Sequence, residues 1–182
     1  MSKIIDAVVH ELYEIEPGST EIGFLADFTL LWSIFESKYK NINGSLSLKR
    51  IFHVISISAF KQLINVETIK NLPEHIFLKI DENNIMVTIS NIEFEISLYP
   101  AGSNVEEIPR VKEHFNLIDG VIANSDPKII DLIFLIIYRL RNNLFHGIKD
   151  IYHLSEQNAL FDIINKFLAE VLIITKDVKK TG

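Results

Sequence analysis

Residues 126–147 spell out one complete helix, and this segment constrains the fold more than any other. Asp126 suits the cap, and Pro127 suits the first helical position, where a missing N–H costs nothing and a fixed φ is already helical. Ile129, Leu132, Ile133, Ile136 and Leu140 then recur at helical spacing, and Gly147 supplies a stop. A helix this rich in isoleucine has to be buried by the rest of the chain. Its most apolar run, 129–138, contains Asp131 and covers about half of the roughly 20 residues that a membrane span needs. No membrane span is expected.

The flanking segments supply partners for such a helix. Residues 3–15 predict a short amphipathic helix, with Ile4, Ile5, Val8, Val9 and Leu12 on one side. After a break at Pro17-Gly18, Ser19 or Thr20 caps a helix of about 20 residues ending near Lys40, whose broad apolar face is Phe24, Leu25, Phe28, Leu31, Trp32 and Phe35. A third helix is expected over about 47–64, one or two short ones over 105–124, and a last one over about 155–176 with Ser155 as its cap. Between residues 77 and 99 the pattern changes to alternation, in Met86-Val87-Thr88-Ile89 and Glu93-Phe94-Glu95-Ile96, with Asp81-Glu82-Asn83-Asn84 and Ser90-Asn91 as turns. These readings predict a mainly α chain: an antiparallel helical bundle with a small β insertion over about 77–99. It is expected as a single domain over 1–182, with 65–125 as its inserted segment.

Composition narrows the chemistry. The chain has no cysteine, which removes disulfide scaffolds, thiol nucleophiles and zinc–cysteine sites. Charges interrupt the N-terminus too early for a signal peptide, so a cytoplasmic protein is expected. The mean hydropathy of +0.21 implies that another subunit covers part of the apolar surface. The net charge of −6 excludes a broad basic field, so any nucleic-acid handling has to rely on a local basic site. No Gly-rich phosphate loop, nucleophile elbow or Asp-x-Asp cluster is present. His10, His53, His75, His114 and His153 are scattered without metal-ligand spacing, and no metal or cofactor is expected.

The chemistry-bearing residues gather at the end of the central helix, in Arg139-Leu140-Arg141-Asn142-Asn143-Leu144-Phe145-His146. Asn142 and His146, four apart, lie on one helical face, and the long Arg141 side chain can bend to the same edge. Histidine moves protons near neutrality, and arginine carries a permanent planar cation that matches phosphate oxygens. Together they suit RNA cleavage in which the 2′-hydroxyl is the nucleophile and no metal is required. A helix C-terminus alone accounts for Gly147 and for cations near it. It does not account for Asn142 beside Arg141.

The segment resembles the signature of the HEPN family, in which an arginine, a polar residue and, after a short spacer, a histidine form the active motif. Arg141, Asn142 and His146 stand at those positions, and Gly147 also fits. Residues 32–39 resemble the first core helix of some members, which places Glu36 close to the motif. The resemblance implies a HEPN-like bundle and a homodimer with a composite site across its two-fold axis. It implies a metal-independent endoribonuclease of a toxin–antitoxin or phage-defence system, held by a cognate antitoxin or nucleotidyltransferase partner. Arg141, Asn142 and His146 are then the expected catalytic residues, and Arg139, Asn143 and Glu36 the expected RNA-binding ones. Because some members only bind, a non-catalytic RNA, nucleotide or protein-interaction module is the alternative.

Overall fold

The computed structural model describes residues 20–39, 61–80, 84–97, 120–145 and 157–175. In chain order their elements are helix α1 (Thr20–Tyr39), the short helix α2 (Glu67–Lys70), strands β1 (His75–Ile80), β2 (Asn84–Ile89), β3 (Ile92–Ser97) and β4 (Gly120–Ala123), and helices α3 (Lys128–Phe145) and α4 (Asn158–Ile174). The chain divides into two compact units, Met1–Ala59 with Leu140–Gly182 and, between them in sequence, Phe60–Arg139.

The second of these carries a four-stranded antiparallel sheet of order β3-β2-β1-β4. Alternation makes it two-faced. Ile76 and Leu78 of β1, Ile85, Val87 and Ile89 of β2, and Ile122 of β4 are buried. Phe77 and its cross-strand partner Val121 lie on the opposite face and are more than half exposed. Ser90 and Asn91, at φ 50° and 65°, close the β2–β3 hairpin between the paired residues Ile89 and Ile92. Two consecutive left-handed residues make the mirror-image turn whose twist matches the strands it joins. Gly120 opens β4 at φ 121°, a backbone region that side chains disfavour.

A second buried set in this unit comes from Leu63, Val66, Ile69, Leu72 and the first three turns of α3. In α3, Ile129, Ile130 and residues 132–137 are all buried, while Lys128, Asp131 and Tyr138 on one side of the helix are partly exposed. Its start follows from Asp126-Pro127: the Asp126 carboxylate accepts the Lys128 N–H at 2.9 Å, and the Asp126 carbonyl accepts the Ile129 N–H at 2.9 Å. Among the described residues, no helix is long and apolar enough to cross a membrane.

In the other unit α1 packs along α4. Phe28 meets Phe161 at a tilt of 59° between ring planes, with ring centroids 5.4 Å apart, and Trp32 stacks near Phe28 and Phe35. The Asn165 side chain donates to the Phe24 carbonyl at 2.8 Å, and the Lys38 ammonium donates to the Thr175 carbonyl. From Phe28 with Phe161 to Lys38 with Thr175 the contacts advance in the same direction on both helices, so α1 and α4 run parallel to one another.

The architecture corrects the fold expected from sequence. The chain is mixed α/β, containing a four-stranded antiparallel sheet as well as helices, and is not a mainly α, HEPN-like antiparallel bundle with a small β insertion. The predicted strands 77–99 exist, but β1 begins at His75, and the sheet gains β4 from a segment expected to be helical. Gly120-Val121-Ile122-Ala123 is too short to show a period of its own. It is a strand because His75, Ile76, Phe77 and Leu78 pair with it. The last helix starts at Asn158 instead of near Ser155. Ser155, the expected helix over 3–15, the turn at 81–83, and most of the expected helices over 47–64 and 105–124 lie outside the described residues.

Candidate functional site

The last turns of α3 leave the apolar run and turn polar at Arg141 and Asn142. Both are half-buried, as is Glu36 on α1. Arg141 Nη2 lies 3.1 Å from Glu36 Oε1, and Arg141 Nη1 donates to Asn142 Oδ1 at 3.0 Å. Consecutive helical residues point about 100° apart, so the short Asn142 and the long Arg141 meet only because the guanidinium folds back over its own helix. The guanidinium is therefore gripped on two sides, by a carboxylate from another helix and by the amide of the next residue.

Glu36 reaches this position for a reason written in α1. Trp32, four residues earlier on the same side, is 1% exposed, and the adjacent Phe35 is fully buried. Lys38, two residues later, is tied to the end of α4 through the Thr175 carbonyl. Between these anchors the turn that carries Glu36 has little freedom to rotate.

The structure thus brings together Glu36, Arg141 and Asn142. Arg139 is 6% exposed, and its guanidinium carbon lies 5.9 Å from the Tyr138 ring centroid, so it is withdrawn from solvent. Asn143 sits in the same helical turn as Arg141, but its side chain lies outside the described residues, as does His146. Asn142 engages Arg141, its neighbour in the expected motif. Lys38 was not singled out at all, although a basic residue in the last turn of a helix is a recognisable signal. Among the described residues no group of His, Asp and Glu side chains gathers as a metal site.

Chemically, the arrangement offers a permanent planar cation at the edge of a buried helix, with its orientation set by two oxygens and part of its surface reachable from water. Such a group binds phosphate or carboxylate. Comparison with family models, with curated proteins and with solved structures finds no match.

Proposed function

We propose that the chain is a metal-independent endoribonuclease with an active motif of the HEPN type, Arg141-Asn142…His146, working in the cytoplasm as a homodimeric toxin or phage-defence effector. The observation that supports this reading is the seat of Arg141. A guanidinium held by Glu36 and Asn142 is oriented before any ligand arrives, as a group that stabilises charge on a phosphate needs to be.

In the proposed reaction the 2′-oxygen of the RNA attacks the neighbouring phosphorus while His146 removes its proton. The bond from phosphorus to the 5′-oxygen breaks, leaving a 2′,3′-cyclic phosphate and a 5′-hydroxyl. Arg141 balances the charge that grows on the phosphate oxygens, Asn142 steadies Arg141, and Asn143 is a further contact for the RNA. The departing 5′-oxygen needs a proton at the moment the 2′-oxygen loses one. A second copy of the chain would bring a second histidine to the same site, which is the chemical reason to favour a composite site in a homodimer. A cognate antitoxin or nucleotidyltransferase would hold such an activity in check.

Two observations favour a second reading, binding without cleavage. Arg141 already has a carboxylate partner, and the chain carries a net charge of −6, which weakens its hold on a polyanion.

The deciding experiment incubates the purified chain with total RNA, with and without EDTA, beside Arg141→Ala and His146→Ala variants of unchanged fold. Cleavage that survives EDTA and disappears in both variants is expected. Cleavage that persists in both removes the assignment, and no cleavage by a folded wild-type chain favours the binding module.

A further inference from the structure

We infer that Glu36 sets the phosphate affinity of the site by competing with the ligand for Arg141. The inference rests on the reading of Arg141 as a phosphate-binding group. To a guanidinium, a carboxylate and a phosphodiester are alike: planar or near-planar pairs of anionic oxygens that accept its parallel N–H groups. Glu36 Oε1, 3.1 Å from Arg141 Nη2, therefore occupies the kind of place that a ligand oxygen takes.

Exposure decides whether the carboxylate can be displaced. The Arg141 and Glu36 side chains are 29% and 28% exposed. An ion pair this open to water is weak and exchanges readily, whereas a fully buried one would bar the ligand. The Asn142 contact is neutral and comes from the neighbouring residue, so it keeps the guanidinium in place while Glu36 yields. Glu36 thus lowers the affinity for every phosphate by a similar factor, and only ligands with additional contacts are retained.

Substitution separates a competitor from a brace. Glu36→Gln keeps an oxygen that accepts from Arg141 and removes the charge; a brace survives this change, and a competitor is relieved by it. The probe is a short fluorescent single-stranded 2′-O-methyl RNA, which lacks the nucleophile and is not cleaved. Binding to the full chain is read by fluorescence anisotropy at low salt, with Trp32 emission verifying the fold of each variant. Glu36→Gln is expected to bind roughly three- to fivefold more tightly than wild type, the range that an exposed ion pair allows. Arg141→Ala is expected to bind more weakly, and the double variant to match Arg141→Ala. If Glu36→Gln is unchanged or weaker while Arg141→Ala still loses binding, the competition is refuted and Arg141 keeps its phosphate role. If Arg141→Ala binds like wild type, that role falls and the competition with it. Failure of both wild type and Glu36→Gln to bind also overturns the inference.

Discussion

Replacing Phe28 with alanine tests the packing that holds Glu36 in place. Phe28 is fully buried, its ring 5.4 Å from Phe161 and 6.4 Å from Trp32 between centroids. Removing a buried phenylalanine ring costs about 3–5 kcal/mol, as lost transfer energy plus the cavity left behind. About 1 kcal/mol of that belongs to the aromatic pairing itself. Since whole domains are stable by only about 5–15 kcal/mol, the variant should remain folded but lose much of its margin. For a chain of this length, at about 2–4 °C per kcal/mol, the melting temperature should fall by roughly 6–20 °C. Trp32 is the single tryptophan and lies in this seam, so its emission in a urea titration reports on the unit that holds α1 and α4. Phe28→Leu, which retains most of the volume, should cost only about 1 kcal/mol. Phe28→Ala combined with Phe161→Ala should fall short of additivity by about 1 kcal/mol. A loss below about 1 kcal/mol for Phe28→Ala would refute the packing, because no fully buried ring can be removed so cheaply.

Three further outcomes follow from local geometry. Asp126→Ala should cost about 1 kcal/mol in thermal unfolding followed by circular dichroism, and Asp126→Asn much less, since an amide oxygen still caps the Lys128 N–H. Asn91→Val, forcing a β-branched residue to φ 65°, should cost about 1–2 kcal/mol, while Asn91→Gly should leave the denaturation midpoint unchanged or raise it. Gly120→Ala should lower stability by about 1–2 kcal/mol through backbone strain at φ 121° alone, because an added Cβ there meets nothing within 4 Å.

What could be read from sequence was whatever is decided locally. The extent of α1 follows from the turn residues on either side of 20–39 and from the spacing of Phe28, Trp32 and Phe35, and the structure places it at Thr20–Tyr39. Asp126-Pro127 marks the start of α3 by its own cap, and Ser90-Asn91 marks a hairpin by turn chemistry. What could not be read depends on partners far away in the chain. β4 is four residues whose strand character comes from β1, and that pairing enlarges a small insertion into a sheet. In the site, Arg141 and Asn142 stand out as polar residues after an isoleucine-rich run, and Glu36 entered only through a resemblance. That Glu36 and Asn142 both grip one guanidinium is a matter of side-chain reach, which helical spacing does not encode.

The pairing of β1 with β4 also has a consequence in time. The meander β1-β2-β3 is made of neighbours in sequence and can zip as soon as residue 97 is free to fold. The outer rim of β1 must wait until residues 120–123 arrive, after roughly 1–5 s of further synthesis at ordinary ribosomal rates. Throughout that interval its N–H and C=O groups, with Phe77 among them, form an open template for any other extended chain. Slow translation between these strands should therefore favour aggregation of the nascent protein, and a chaperone that covers β1 should relieve it.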